Sequence, residues 1–136
     1  MPTDIEITES VVEKMCDELI AKMGGDVVRL SQRRPSKIHL GLPDRRYRLP
    51  IGAAFWFECK APHGQLSRKQ YEFLLAERKC DQLASCGGLD DLLALAQSCL
   101  RWTGAGSGKI CDATLDAWQR KGFRGERKTP LTRNHR

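Results

Sequence analysis

Residues 41–70 read GLPDRRYRLPIGAAFWFECKAPHGQLSRKQ. Residues 45–49 form a short strand, and Pro50-Ile51-Gly52 is a turn. Residues 53–60 form a second strand, rich in aromatics. Its apolar residues, Ala53-Ala54-Phe55-Trp56-Phe57, run almost unbroken, as in a central strand covered on both faces. Glu58 and Lys60 interrupt that run. Residues two apart in a strand project to one face, so these two charges point together. Burying them requires a partner or an ion. A second carboxylate, Asp44, follows the Gly41-Leu42-Pro43 turn at the start of the neighbouring strand. Ser67 then caps a helix that runs to Lys79, with Tyr71, Phe73, Leu74 and Leu75 apolar.

Working outward, residues 8–23 read as a helix. Thr8 or Ser10 can cap it, and Val11, Val12, Met15, Leu19, Ile20 and Met23 recur at helical spacing. Gly24-Gly25 stops it. Residues 26–31 are a strand candidate, and residues 32–42 a polar, basic loop. Residues 81–86 form a weaker strand, interrupted by Gln82 and Ser85. Gly87-Gly88 turns into an amphipathic helix over residues 89–102. The order α-β-β-β-α-β-α predicts an α/β fold. Its helix between the third and fourth strands requires a mixed sheet with helices on its faces.

The chain of 136 residues has room for one core. Composition shifts at Thr103, which divides it into a domain over residues 1–102 and an extension over residues 103–136. The extension reads as a hinge of Gly104, Gly106 and Gly108, a short helix over residues 110–121 with Leu115 and Trp118 inward, and a basic tail with little to bury. Hydrophobic and charged contents of 40% and 29% are those of a soluble globular protein, with no apolar run of membrane-spanning length. The polar, acidic N-terminus does not read as a secretory signal. Six cysteines without a C-x-x-C pair read as reduced thiols rather than a zinc site or a disulfide framework, and a cytoplasmic location is expected.

Charge is uneven. Residues 103–136 hold 8 Lys+Arg against 3 Asp+Glu, whereas residues 1–102 hold 15 against 14. Residues 29–48 hold seven basic residues against Asp44 alone. Such clusters suit a polyanion. Gly104–Lys109 lacks the spacing of a phosphate loop, so no nucleotide cofactor is expected.

The acidic residues and Lys60 match the needs of phosphodiester hydrolysis. Hard oxygen ligands hold Mg²⁺ or Mn²⁺, and a lysine reaches the water or the phosphate. Asp44 and Glu58 supply carboxylates, and the Cys59 carbonyl offers a third oxygen at the same strand end. Glu-x-Lys alone is weak, because it arises by chance about once in a chain of this length.

Three motifs in order carry more. They are Gly41-Leu42-Pro43-Asp44, Glu58-Cys59-Lys60-Ala61-Pro62 and Gly64-Gln65-Leu66-Ser67-Arg68-Lys69-Gln70. Together they resemble the PD-(D/E)XK nuclease superfamily, and within it the virus-type replication-repair nuclease (VRR-NUC) branch, over roughly residues 9–97. The resemblance implies a restriction-endonuclease-like αβββαβ core. It implies that Asp44 and Glu58 are metal ligands, that Lys60 is the catalytic lysine, and that Gln70 supports the site or orients water. It also implies a helical glutamate. Glu13 lies at the implied distance from Gly24-Gly25 and is preferred; Glu9 sits one turn earlier on the same face. Short members of this branch imply a dimeric enzyme of phage or bacterial origin that cuts branched DNA such as four-way junctions.

Arg33, Arg34, Lys37, Arg45, Arg46, His63, Arg68 and Lys69 surround these motifs and are expected to contact DNA. Two alternatives to the nuclease remain at this level. One is a non-catalytic nucleic-acid-binding protein; the other is a subunit that docks a partner through its basic surface.

Overall fold

The computed structural model describes residues 6–30, 41–101 and 106–126. Its elements are α1 (Glu9–Lys22), β1 (Asp26–Arg29), β2 (Arg45–Arg48), β3 (Ala54–Cys59), α2 (Arg68–Lys79), β4 (Ala84–Gly87), α3 (Leu89–Leu100) and α4 (Ser107–Arg120). The strands lie in sequence order, β1-β2-β3-β4. The first two pairings are antiparallel and β3–β4 is parallel, bridged by α2, so the sheet is mixed as expected.

Each element follows from local chemistry. The Thr8 hydroxyl accepts from Val11 N at 3.3 Å and starts α1. The buried stripe of α1 is Val12, Cys16 and Ile20 at helical spacing. Val11, expected inward, is 41% exposed, and Cys16 takes the inward place instead. Gly24, at φ +86°, turns the chain out of α1, and Gly25 lets it pass β2, since a Cβ there would collide with the Arg48 carbonyl. At α2, the Ser67 hydroxyl accepts from Gln70 N at 3.1 Å, and Gln70 Oε1 accepts from Ser67 N at 2.9 Å. This reciprocal capping box fixes the first turn.

Two apolar layers cover the sheet. Phe55, Phe57 and Cys59 pack with Tyr47, with Val12, Cys16 and Ile20 of α1, and with Leu92, Leu95 and Ala96 of α3. Trp56 turns the other way and packs with Leu66, Leu74, Ala84, Cys86, Leu115, Trp118 and Phe123. The central strand β3 is therefore covered on both faces, as its unbroken apolar run requires.

Of the three glycines expected to form a hinge, Gly104 lies outside the described residues, and the other two sit at and within the start of α4. Gly106, at φ +91°, precedes α4, which begins earlier than expected. Gly108 lies inside α4, where a Cβ would sit 2.7 Å from Arg78 Nη2. Phe123, in a stretch expected to bury little, is 8% exposed and stacks near Tyr71 at 5.3 Å between centroids. Segment 121–126 is tied to the loop after β3. Arg124 N donates to the Leu66 carbonyl at 2.7 Å, Gln65 Nε2 to the Lys121 carbonyl at 2.8 Å, and Lys121 Nζ to the Pro62 carbonyl at 3.0 Å. Residues 127–136 of the basic tail lie outside the described residues.

Cys16, Cys59, Cys86, Cys99 and Cys111 are buried, and Cys80 is exposed. No helix among the described residues is long and apolar enough to cross a membrane.

Candidate active site

The antiparallel register of β2 and β3 pairs Arg45 with Phe57, so the next step outward sets Asp44 against Glu58. Asp44 N donates to Glu58 Oε1 at 3.2 Å, which joins the turn to the strand end. Gly41 makes this approach possible. It sits at φ +71°, and a Cβ there would collide with the Lys69 carbonyl and come within 2.7 Å of Gln70 N. The turn thus packs directly on the first turn of α2. Lys60 N donates to the Gly87 carbonyl at 2.9 Å, extending the β3–β4 pairing by one bond.

Charge is concentrated here and shielded from solvent. Asp44, Glu58 and Lys60 are 0%, 3% and 2% exposed. Lys60 Nζ lies 3.4 Å from Glu58 Oε2 and 3.6 Å from Glu9 Oε1. One carboxylate oxygen from each of Glu9, Asp44 and Glu58 lies within 4.8 Å of the others. Both Asp44 oxygens are buried and accept no hydrogen bond. Arg45 Nη1 approaches Asp44 Oδ2 only to 3.7 Å. A buried carboxylate in that condition is costly unless a cation or proton meets it. This donor set, hard oxygens at short mutual distance with one carboxylate accepting no hydrogen bond, fits a hard divalent cation.

Glu9, Glu13 and Asp17 follow at i, i+4, i+8 on α1 and form an acidic ladder along the site. Glu9 belongs to the triad. Glu13, the sequence-preferred ligand, faces Asp44 and Arg45 one turn deeper. Its carboxyl is pushed up to about 8, first by its close approach to the Asp44 carboxyl, then by burial and by the charge of Asp44. Asp17, which the sequence reading passed over, accepts from Arg45 Nε at 2.8 Å, Tyr47 Oη at 2.7 Å and Arg29 Nε at 3.2 Å. Burial opposes its charge, but the bonds from Arg45 and Tyr47 and the charges of Arg45 and Arg29 hold it below the usual carboxylate range.

Asp17→Ala is expected to cost about 2–4 kcal/mol, because it leaves a buried guanidinium and a buried phenol without their acceptor. Urea unfolding monitored by circular dichroism measures this; a loss under ~0.5 kcal/mol would remove Asp17 from the framework. The sign with pH follows from the depressed carboxyl. Its stabilisation is complete above the unfolded value of about 3.9 and fades as pH falls through the folded one.

The other sequence-predicted residues divide. Gln70 lies against the Gly41 turn, and its Oε1 is engaged in the capping box rather than aimed at a water. The cue was legible, since Ser-x-x-Gln before a helix is itself a capping-box signature. Arg45, expected on the DNA, is 8% exposed and serves as counter-ion to Asp17 and Asp44. Arg46 stacks over Trp56 at 4.8 Å from the ring centroid. Arg68 is exposed and paired with Glu126 at 2.8 Å. His63 and Lys69 are exposed. Arg33, Arg34 and Lys37 lie outside the described residues. The Cys59 side chain turns into the core, 3.9 Å from Tyr47 Oη. Its thiol is pushed up by a hydrogen bond with Cys16 and by burial, so it is no thiolate ligand.

No protein-family model and no curated protein matches the chain. Among solved structures, a VRR_NUC domain superposes at a TM-score of 0.54 with 24% sequence identity, over 67% of this chain and 97% of that one. The fold is that of a VRR_NUC domain. The mixed four-stranded sheet with flanking helices is the restriction-endonuclease-like architecture that the motif order implied.

Proposed function

We propose that this chain is a divalent-metal-dependent nuclease that hydrolyses phosphodiester bonds in DNA. The observation that carries the reading is the set of Glu9, Asp44 and Glu58 oxygens within 4.8 Å of one another, the last two residues buried, with Lys60 Nζ 3.4 Å from Glu58. A structural salt-bridge cluster would leave no buried carboxylate unsatisfied, whereas Asp44 has neither oxygen hydrogen-bonded.

Glu9, Asp44 and Glu58, with the Cys59 carbonyl as a further oxygen, would hold Mg²⁺ or Mn²⁺. When bound, the ion supplies Lewis acidity toward the scissile phosphate and lowers the pKa of a water. Glu58 is oriented by the Asp44 amide, so its carboxylate is fixed before substrate arrives. Lys60 brings a desolvated positive charge to the same point, where it stabilises the negative charge that develops on the phosphate oxygens. Glu13 supports Asp44 from α1, and Gln70 supports it through the α2 turn on which Gly41 rests. Arg33, Arg34, Lys37, Arg46, His63, Arg68 and Lys69 are proposed to contact the DNA backbone.

Branched DNA is the proposed substrate, cut by a homodimer in the cytoplasm of a bacterium or phage-infected host. That part rests on the VRR-NUC resemblance: two strands cut at a junction require two sites, which a two-fold dimer supplies.

Labelled four-way junction, flap, duplex and single-stranded DNA, incubated with Mg²⁺ or Mn²⁺, test the proposal. Metal-dependent cleavage strongest on the junction is the expected result. Binding without cleavage on every substrate and with both metals would move the assignment to a non-catalytic DNA-binding protein.

A further inference from the structure

Lys60 also lines a hollow of about 300 Å³. Val12 and Met15 of α1, Leu89 of α3 and Trp118 of α4 form its apolar walls, and Asp90 and Asp91 contribute carboxylates. Trp118 is 7% exposed, and Lys121 Nζ sits 3.5 Å from its ring centroid. Asp91 Oδ2 accepts from Gly88 N at 3.0 Å, so this carboxylate is engaged. Asp90 is exposed at the start of α3.

The lining selects the occupant. A second phosphate would sit against two carboxylates, and apolar walls give an ion no ligands. A flat, uncharged group that carries N–H donors satisfies both the walls and Asp90. Lys60 reaches from the hollow to the carboxylates that are proposed to engage the scissile phosphate. A nucleotide joins its phosphate to its base through one sugar, so the base flanking that phosphate lies within reach of the hollow.

We propose that the hollow receives the base flanking the scissile phosphate, taken out of its stack, and that Asp90 accepts from the exocyclic amino group of adenine, cytosine or guanine. The proposal rests on the nuclease reading and adds to it a determinant of where the chain cuts.

The test begins by mapping the cut on a junction. An abasic nucleotide is then placed at each flank of the cut and, as a control, three nucleotides away. Loss of the base at one flank is expected to slow cleavage about tenfold or more, the size of one lost stacking contact, with no effect of the control lesion. Leu89→Trp, which fills the hollow, should slow cleavage of intact DNA similarly and abolish sensitivity to the abasic nucleotide, while the thermal midpoint and metal titration stay unchanged. Met15→Phe narrows the opposite wall and provides the same test if Leu89→Trp does not fold. Asp90→Ala should erase a preference for the amino-bearing bases over thymine at that flank. Cleavage indifferent to base removal at both flanks overturns the inference alone, and assigns the hollow to another occupant such as an apolar side chain of a partner protein. Absence of cleavage by the wild type on any DNA overturns the nuclease reading and this inference together.

Discussion

Lys60→Ala is expected to lower metal-dependent cleavage by about 10³-fold, the range seen when a positioned proton-transfer or charge-stabilising group is removed. The lysine is 2% exposed and lies within 3.6 Å of both Glu58 and Glu9, so no solvent cation replaces it in kind. Its removal should also be felt before any chemistry. In EDTA the variant leaves Glu9, Asp44 and Glu58 facing one another without their nearest ammonium, and a loss of about 2–4 kcal/mol is expected. Added Mg²⁺ or Mn²⁺ should recover much of that loss, since the cation binds the folded state alone. Cleavage within tenfold of wild type by a folded Lys60→Ala protein would remove the lysine from the mechanism. Thermal melts with and without metal distinguish a chemical defect from an unfolded sample.

Asp44→Asn should have the opposite effect on the metal-free protein. Wild-type Asp44 is wholly buried, accepts no hydrogen bond at either oxygen, and stands within 4.8 Å of carboxylate oxygens of Glu9 and Glu58. Replacing it by a neutral amide of the same shape removes a buried charge and like-charge repulsion, and adds N–H donors toward the neighbouring carboxylates. A gain of about 1–3 kcal/mol in EDTA is expected, or roughly 3–10 °C in midpoint for a chain of this size. The same substitution should abolish cleavage and flatten the rise of midpoint with added Mg²⁺ or Mn²⁺. Calorimetric titration of the metal gives a readout independent of DNA. A lower midpoint for Asp44→Asn in EDTA would mean that Asp44 serves the fold, and would undercut the assignment of this cluster as a metal site.

The two substitutions thus separate the roles within one cluster. Lys60 offsets the acidic set in the metal-free protein, and Asp44 is the member whose oxygens accept no hydrogen bond. Sites tuned for function often carry such local cost, held in place by the surrounding fold. Here the surrounding fold is identifiable. Asp17, Arg45 and Tyr47 lock α1 to β2, the Asp44 amide holds Glu58, and the capping box fixes the α2 turn under Gly41.

Much of this was legible in residues 41–70, because strand periodicity is a local property. The unbroken Phe55-Trp56-Phe57 run marked a strand covered on both faces, and the spacing of Glu58 and Lys60 put both charges on one side. Ser67 and Gln70 encoded their own capping box within four consecutive residues. The helix between β3 and β4 required the parallel pairing, since a crossover that carries a helix returns the chain in the same direction.

Contacts between elements were a different matter, because sequence spacing does not fix how one element docks on another. Glu9 and Glu13 share a face of α1 by helical periodicity alone, and the docking of α1 on the sheet decides that Glu9 joins Asp44 and Glu58 while Glu13 faces Asp44 and Arg45. Arg45 looked like one cation in a basic run, yet strand alternation turns it inward to Asp17, leaving Arg46 on the opposite face over Trp56. Phe123 sits in a stretch whose own composition is polar and basic, and it becomes core only because β4 and α2 present an apolar surface for it. The sequence by itself determined the order of elements, the strand that carries the charges and the turn that brings Asp44. Tertiary packing decided which acid completes the triad, which arginine is buried and what lines the hollow beside Lys60, because those outcomes depend on distances between elements that local periodicity leaves free.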